Sequence, residues 1–584
     1  MTGKSKASEG FRVDPIALEI MLNGLRSIAD ETYNALTRSA YSTNIKERKD
    51  HSTAVMDASG RLIAQAENSL PIHLSSMAGI MQALLQKYRR GEIQEGDIFV
   101  SNDPHVAGGS HLPDINLAQP VFANGKLLAF VCNIAHHADV GGMAPGSVAG
   151  GMTEIYQEGL RIPAVKLFDR GELVRDVFDI LLLNVRVPEE RRGDYNAQVA
   201  ACKLGERRMQ ELVERHSAEM LERAFGDIIA RTEKRLRDAV HAIPDGVYRY
   251  RDLMDDDGCG NLDIEIAVAV TVDGDRISFD FAGTAPQAAG NINSPFNASH
   301  ATLCYVVKAL VDPDAPNNQG VLNVCEMIAE PGSLVNCIAP AACAARANTC
   351  QRIVDVVIGA LADAMPKAVV AAANGANTAA VFSGKHPDSD KSYLYIETIG
   401  GGFGGRATKD GTDGVQVHST NTSNLPVEVM EAEYPLRVMR YELVQDSGGA
   451  GEHRGGLSIR RDVTPIGHVC TFSGQGERFR HQPWGLFGGE PAMAGRFALI
   501  CPDGQIDVLP GKPSGVDVSA GTIISMQTAG GGGYGHPGNR SRDEVDEDVA
   551  SGKFSTSFVN KHYRGCKKAG RPSGNRKRLD RRDS

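Results

Sequence analysis

Residues 98–139 decide the fold class, and they read IFVSNDPHVAGGSHLPDINLAQPVFANGKLLAFVCNIAHHAD. The apolar run Ile98-Phe99-Val100 predicts a buried strand, and it ends in a polar stretch. Asn124-Gly125 separates two further apolar runs, and this dipeptide is a strong short-range signal for a β-hairpin turn. The segment therefore predicts antiparallel pairing, with histidine and aspartate side chains at the strand ends.

The chain on both sides of this segment changes its hydrophobic period. Asp14-Pro15 predicts the start of an N-terminal helix, because an acidic cap followed by proline is a typical helix start. The remaining pattern is helical over 187–240, β over 246–285, helical with loops over 296–365, and β with many glycines from 390 onward. Strands and helices do not alternate regularly. We therefore predict an α+β protein: a large mixed single chain with an N-terminal helix, β-hairpins and a glycine-rich β C-terminal half.

The length of 584 residues predicts more than one subdomain, because single hydrophobic cores stop growing near roughly 250–300 residues. Changes in composition suggest four regions. They are an N-terminal α+β region over 1–240, a mixed β/α region over 241–385, a glycine-rich and mostly β region over 386–563, and a basic tail over 564–584.

The charge distribution limits the classes of partner. The formal net charge is −10, but residues 553–584 hold 11 Lys/Arg and 2 Asp/Glu, so the preceding chain carries −19. An acidic body argues against a nucleic-acid enzyme. The tail over 564–584 has almost no apolar side chains, and we expect it to be disordered and dispensable.

The sequence shows neither the pattern of a membrane span nor that of a secretory signal. The apolar runs are shorter than the roughly 18 residues that a membrane span needs, and no apolar segment follows Lys4 and Lys6 as in a signal peptide. The 11 cysteines contain no CxxC pair, which suits reduced, mostly buried thiols. We therefore expect a cytoplasmic protein that contacts neither membrane nor nucleic acid.

Histidine and aspartate residues concentrate in one short segment. Four of the 16 histidines fall between residues 103 and 139, where about one is expected by chance. Neutral imidazoles beside carboxylates suit Zn²⁺, Mn²⁺ or Fe²⁺. The alternative is a set of capping aspartates and hydrogen-bonded core histidines. The members of the cluster are Asp103, His105, His111, Asp114, His136, His137 and Asp139.

Two glycine runs, Gly400–Gly405 and Gly530–Gly535, match the letters of a dinucleotide-binding motif. Neither opens an apolar helix or has an acid at the expected offset, so we interpret both as tight turns and close backbone contacts. The sequence also lacks GxxxxGK[ST]. We therefore predict no ATP site of a familiar linear type in this chain.

A series of motifs together resembles the hydantoinase B/oxoprolinase family, in family order from about residue 12 to about residue 563. The matching segments are 45–52 (IKERKDHS), 101–104 (SNDP), 109–114 (GSHLPD), 136–142 (HHADVGG), 145–147 (PGS), 330–334 (EPGSL), 400–405, 426–428 (PVE), 446–451 (DSGGAG), 454–456 (RGG) and 530–535.

The resemblance implies one subunit of a two-component, ATP-dependent enzyme. The partner would be a hydantoinase A type subunit that binds ATP and Mg²⁺, in an α2β2-type assembly. Substrates of the family are small cyclic amides such as N-methylhydantoin, 5-oxoproline and caprolactam. The family's divalent metal, here Zn or Mn and alternatively Fe, would be held by Asp50, His111, Asp114 and His136.

The resemblance also frames the chemistry that we expect. Phosphorylation of an amide oxygen on the partner would activate the ring, and a metal-bound water would attack the ring carbon. Asp114 or Asp139 would accept the proton, and His137 and Asp139 would orient the imidazoles. His51 stands where the family has an aromatic residue, so it could tune the site or add a ligand. The alternatives are a subunit of an ATP-dependent ketone carboxylase, or a non-catalytic assembly subunit.

Overall fold

We describe the protein from a computed structural model, which covers residues 13–566. Nearly all of the basic tail, over which disorder was expected, lies outside the described residues. The helices are α1 (Pro15–Ser39), α2 (Thr43–Lys46), α3 (Leu74–Lys87), α4 (Arg175–Leu183), α5 (Pro188–His216), α6 (Ala218–Val240), α7 (Phe296–Val311), α8 (Gln319–Val324), α9 (Arg346–Leu361), α10 (Val427–Glu433), α11 (Arg542–Ala550) and α12 (Thr556–His562).

Twenty strands are present over the same range. They are β1 (His51–Asp57), β2 (Leu62–Gln65), β3 (Ile98–Ser101), β4 (Asp114–Ala123), β5 (Lys126–His136), β6 (Val165–Asp169), β7 (Glu172–Leu173), β8 (Gly246–Asp256), β9 (Leu262–Asp273), β10 (Arg276–Asp280), β11 (Cys325–Ile328), β12 (Thr378–Lys385), β13 (Ser392–Ile399), β14 (Leu436–Leu443), β15 (Ile459–Pro465), β16 (Cys470–Gln475), β17 (Arg496–Ile500), β18 (Ile506–Leu509), β19 (Val516–Val518) and β20 (Ile523–Gln527).

The segment 98–139 forms the centre of a seven-stranded antiparallel sheet. Its strand order is β2-β1-β5-β4-β3-β6-β7. Asn124 and Gly125, at φ 51° and 71°, make the predicted turn between β4 and β5. Such positive φ angles suit a two-residue hairpin, because their backbone twist matches that of the flanking strands.

Helices and further strands cover both faces of this sheet. Side chains of α1, α5 and α6 pack on one face, where Val55 and Val131 lie, while Ala54 and Met56 belong to the core on the other face. This alternation follows from the two-residue period of a strand. As predicted, α1 begins after Asp14, whose carboxylate accepts the backbone N–H groups of Ile16 and Ala17.

The core on the face of Ala54 and Met56 also includes the middle of the sequence. A four-stranded sheet, ordered β11-β10-β9-β8, packs with α3, α7 and α9 against the first sheet. The pair β10 and β11 is parallel and the other pairs are antiparallel. Because α9 lies in this core, its first turn reaches the edge of the seven-stranded sheet.

The glycine-rich region is built on two further sheets, ordered β13-β12-β16-β19 and β14-β15-β20-β17-β18. Apolar side chains from both, among them Phe382, Tyr395, Phe472 and Phe497, form one core. The short helix α10 interrupts the β region, and α11 and α12 follow its last strand. The α+β class is confirmed, and the four predicted regions remain predictions.

The two glycine runs lie against each other rather than around a ligand. A Cβ atom on Gly402 would lie 2.1 Å from the carbonyl oxygen of Gly456, and one on Gly531 would lie 2.1 Å from that of Phe403. The N–H groups of Gly402 and Gly531 donate to the carbonyls of Ala529 and Gly456. Close backbone contact is therefore confirmed as the role of these glycines.

The helical stretch predicted over 187–240 forms two helices, α5 and α6. The break between them is at Ser217, which has φ 61° and caps α6 through its hydroxyl.

Among residues 13–566, no helix combines the length and the apolar composition that a membrane crossing requires.

Candidate metal centre

Three strand ends bring the key side chains together at one end of the seven-stranded sheet. Asp114 begins β4 and His136 ends β5, and the two residues are direct cross-strand partners. Asp50 immediately precedes β1, and its carbonyl accepts the N–H of His136 at 3.0 Å. In an antiparallel sheet one strand starts where its neighbour ends. Residues that are far apart in sequence therefore meet at this end of the sheet.

His111, Asp114 and His136 form the centre of this cluster. One ligand atom from each lies within 4.8 Å of the others, and all three residues are buried. Pro113 separates His111 from Asp114 in a turn that ends at β4. The three side chains line a cavity of about 50 Å³. Two imidazoles and a carboxylate are donors typical of a zinc, manganese or iron site.

The protonation of His111 explains why these donors fit a cation. Its Nδ1 donates to the carbonyl of Ala344 at 2.9 Å, and burial together with Arg346 lowers the pKa of the ring. The neutral ring then presents a lone pair at Nε2, which lies 3.3 Å from Oδ1 of Asp114. Neither atom has a hydrogen-bond partner among the described residues. Two buried lone pairs that face each other are stabilised by a cation between them.

The Asp114 carboxylate is held in its charged form. Burial raises its pKa, but the pKa nevertheless lies well below its usual value, and the permanent charge of Arg346 contributes to that lowering. Its Oδ2 accepts from the hydroxyl of Ser110 and from Nη2 of Arg346 at 2.8 Å. Both partners bind the same oxygen, and Oδ1 remains directed at His111.

Asn44 fixes the remaining imidazole, His136. The Asn44 amide nitrogen lies 2.5 Å from the backbone oxygen of His136 and 3.1 Å from its Nδ1. Arg48 donates in turn to the Asn44 side-chain oxygen, so the orientation of the amide is set. Burial and His111 lower the pKa of His136 well below its usual value. The ring is therefore neutral, and it can bind a cation through the ring nitrogen that does not carry the proton.

Asp50, the fourth residue expected to bind a metal, lines the same cavity but lies outside the tight cluster of three. Its carboxylate is 3.8 Å from Nη2 of Arg48. Burial raises the pKa of Asp50, and Arg48 opposes that rise. The position allows either a ligand or a proton acceptor, and the geometry leaves both open.

His137 and Asp139, which the sequence suggested for catalysis, are not among the cavity-lining residues. His137 follows His136 and points to the opposite face, where its Nε2 bonds Gln198 at 2.9 Å and its ring packs on Tyr195. Asp139 pairs with Nη1 of Arg186 at 2.7 Å and accepts backbone N–H groups. The alternation of strand residues explains this separation.

The other members of the cluster also lie elsewhere. Asp103 pairs with Arg161 and caps a turn, and His105 bonds the carbonyl of Ala341. His51 packs against Tyr33 and bonds Thr37 on α1, so its side chain does not line the cavity. Burial lowers the pKa of His51 to about 3.

Sequence reasoning missed two groups next to Asp114. His73 precedes α3, and its Nε2 lies 3.6 Å from Oδ2 of Asp114, while its Nδ1 bonds the Ser52 hydroxyl at 2.8 Å. Arg346 begins α9, more than 200 residues from Asp114 along the chain. A single histidine before a helix and a single arginine carry no pattern, and the tertiary fold alone brings them to the site.

Comparisons with known proteins show which family the chain matches. Residues 14–537 match the hydantoinase B/oxoprolinase family. One component of a putative D-/L-hydantoinase from Pseudomonas sp. (strain NS671) is 32% identical over 93% of this chain and 93% of its own length.

Two solved structures resemble the whole fold. The ATP-dependent caprolactamase from Pseudomonas jessenii superposes with a TM-score of 0.89 at 27% identity, covering 95% of this chain and 96% of that chain. A nucleotide-free acetone carboxylase gives a TM-score of 0.87 at 19% identity, covering 94% of this chain and 79% of that one. At that identity the second likeness concerns the fold alone.

Proposed function

The chain belongs to the hydantoinase B/oxoprolinase family, and from this premise we propose that it is the metal-binding subunit of a two-component, ATP-dependent cyclic-amide hydrolase. The observation that carries the proposal is the cluster that the buried residues His111, Asp114 and His136 form. Hydantoins, 5-oxoproline and lactams are the substrates that the family suggests. The site residues of this chain, rather than fold likeness, carry the chemical part of the proposal.

Each proposed ligand is oriented by a second group of this chain. The carbonyl of Ala344 holds His111, Ser110 and Arg346 hold Asp114, and Asn44 holds His136. For His111 the partner also fixes the tautomer, because an Nδ1–H that donates to a carbonyl leaves the Nε2 lone pair free for a cation. A divalent cation bound here would polarise a substrate oxygen and lower the pKa of a water molecule.

The remaining polar groups of the cavity would hold the substrate and accept protons. Asp50 lines the cavity with one carboxylate and has only Arg48 as a charged partner within 4 Å. His73 presents Nε2 near Asp114. We assign proton transfer to this pair rather than to Asp139, because Asp139 does not line the cavity.

A change of Asp50 to Asn separates the two roles left open for this residue. If Asp50 is a ligand, the variant loses bound metal. If Asp50 is a proton acceptor, the variant keeps the metal and the kcat of the variant falls by about 10²–10⁴-fold. Metal analysis and steady-state kinetics on the same preparation distinguish the outcomes. Full metal content with unchanged kcat would remove Asp50 from the site.

ATP binding is assigned to a separate subunit of the hydantoinase A type, which would bind ATP with Mg²⁺ and phosphorylate the amide. Relatives from a hydantoinase and a caprolactamase are each named as one subunit of their enzyme, which supports a partner of this kind. We expect an α2β2-type complex in the cytoplasm, and the free state of all 11 cysteines suits that reducing compartment.

The decisive experiment is co-purification with the ATP-binding partner. The complex should hydrolyse ATP only in the presence of a cyclic amide, and a panel of hydantoins, 5-oxoproline and lactams should identify the substrate. Removal of divalent metal by a chelator should abolish ring opening, and Zn²⁺, Mn²⁺ or Fe²⁺ should restore it. A complex that hydrolyses no cyclic amide under these conditions would contradict the proposal.

A ketone carboxylase remains the second candidate, because the fold also resembles acetone carboxylase. Acetone or acetophenone with bicarbonate therefore belongs in the same panel. A purely structural subunit is the third candidate. It predicts no stoichiometric metal, whereas both enzymatic candidates predict bound metal.

A further inference from the structure

The cavity next to the candidate metal centre has a second polar wall that the proposed ligands do not use. Asn348, Asn377 and Gln475 line the cavity together with His111 and Asp114. These amide residues come from α9, from the residue before β12 and from the end of β16. Three separate elements therefore converge on one wall with the same chemistry.

The amide groups of this wall lack partners within the protein. Asn348 and Gln475 are each only 1% exposed. Nδ2 of Asn348, Oδ1 of Asn377, and both Oε1 and Nε2 of Gln475 make no hydrogen bond to any described residue. A buried polar group without a partner costs about 1–3 kcal/mol. Such a wall is therefore stable only when a bound molecule or solvent satisfies it.

The direction of one amide is fixed by its neighbour. Oδ1 of Asn348 accepts the backbone N–H of Asn377 at 2.9 Å, so its Nδ2 is the group left without a partner. Asn348 therefore presents N–H donors. Gln475 presents one acceptor and two donors, and Asn377 presents an acceptor. Together they match a planar group that carries both C=O and N–H.

Charge separates this wall from the other end of the cavity. Two arginines line the cavity and bind mainly groups of this chain: Arg346 donates to Ser110 and Asp114, and Arg48 donates to Asn44, Thr398 and the Ile396 carbonyl. The Nε groups of both arginines make no hydrogen bond to a described residue. The amide wall, in contrast, is neutral and offers both donors and acceptors.

We propose that Asn348 and Gln475 determine specificity by binding a second amide or ureide group of the substrate, so that the preferred substrate is a cyclic ureide or diamide rather than a simple lactam. This inference rests on the proposed function, in which the first amide reacts at the metal end of the cavity. A site with dedicated donors and acceptors discriminates strongly against analogues that leave them unpaired.

Two ring compounds test this inference on the metal-loaded complex with the ATP-binding partner, in calorimetric titrations without ATP. Hydantoin carries the second amide group, and 2-pyrrolidinone lacks it. We expect hydantoin to bind about tenfold more tightly than 2-pyrrolidinone, which is near the upper end for one additional hydrogen bond.

Two variants assign the preference to residues. Gln475→Met keeps the size of the side chain and removes the amide, and it should reduce the preference for hydantoin by about tenfold. Asn348→Asp keeps the acceptor for Asn377 and removes the donor, and it should act in the same direction if the first variant fails to fold. Gln65→Met is the matched control, because the Gln65 amide is also buried and unpaired but does not line this cavity.

The outcomes separate this inference from the proposed function. Equal binding of hydantoin and 2-pyrrolidinone, no binding of either ring, or an unchanged preference in both variants would overturn the inference. ATP-dependent ring opening by the same complex is measured separately. A complex that opens a lactam without any preference for the ureide keeps the proposed function and loses the inference, and one that opens no ring loses both.

Discussion

Glu158 and His111 are joined through a single residue, Ala344. The Glu158 carboxylate accepts the backbone N–H of Ala344 at 2.7 Å, and the carbonyl of Ala344 accepts from Nδ1 of His111 at 2.9 Å. The same carboxylate oxygen also accepts the N–H of Cys343 at 2.7 Å. A fully buried acid therefore holds the loop that sets the tautomer of a proposed metal ligand.

The stability of the protein should depend on pH through Glu158. Burial raises its pKa from 4.5 to about 8, against the opposing effect of the two backbone N–H groups. Between those pH values the folded state holds a proton that the unfolded chain releases, so the free energy of unfolding falls as pH rises. Glu158→Gln cannot titrate. The stability difference, wild type minus variant, should therefore decline from pH 5 to 8, by no more than about 1.4 kcal/mol per pH unit.

Urea unfolding of both proteins at several pH values measures this difference, and the other titrating groups largely cancel in it. A difference that increases with pH would show that Glu158 is charged in the folded state and stabilised by the two backbone N–H groups.

Metal binding should require His111 and His136. The double variant His111→Ala, His136→Ala removes two of the three clustered donors. It should lose nearly all of the bound divalent metal, which we expect at about one equivalent per wild-type chain. Added Zn²⁺ or Mn²⁺ should raise the melting temperature of the wild type and not of the variant, because only a folded site binds the ion.

His105→Ala is the control for this experiment. His105 belongs to the same histidine-rich segment, but it bonds the carbonyl of Ala341 and does not line the cavity. Its substitution should leave the metal content unchanged. Full occupancy in the double variant, or loss in the control, would refute the assignment.

The glycine layer should be intolerant of a single methyl group. In Gly531→Ala the new Cβ would lie 2.1 Å from the carbonyl oxygen of Phe403, and backbone cannot move aside as a flexible side chain can. We expect destabilisation by about 3 kcal/mol or more. Gly226→Ala, in the middle of α6 with no atom within 4 Å of the new Cβ, should stabilise by about 0.5–1 kcal/mol. Chemical denaturation compares the two, and equal effects would contradict this explanation.

The isolated chain should not bind ATP tightly. The backbone N–H groups of Gly402, Gly405, Gly531 and Gly532 all donate to carbonyls of the chain, so these four donors are not available to a phosphate. Calorimetry with Mg-ATP should show no tight binding to this chain and should show binding to its complex with the partner. Micromolar affinity for the isolated chain would contradict this expectation.

Local sequence patterns were sufficient for several elements and for part of the site. The hairpin at Asn124-Gly125 and the cap at Asp14 depend on neighbouring residues, and the structure has both. The density of histidine and aspartate around His111 indicated the segment from which His111, Asp114 and His136 come together. The same density could not show which of the adjacent residues His136 and His137 faces the cavity. That depends on the face of the sheet to which each side chain points.

Short stretches of sequence were enough to specify the α+β class, the antiparallel β4–β5 pair and the chemical type of the candidate site, because propensity, turn geometry and ligand chemistry are local properties. Tertiary packing alone determined that His73, Arg346, Asn348 and Gln475 share the cavity with Asp114. Their separations along the chain carry no local signal. Which side chains meet at the end of a sheet depends on how distant helices and strands pack against it, and that is a property of the whole core.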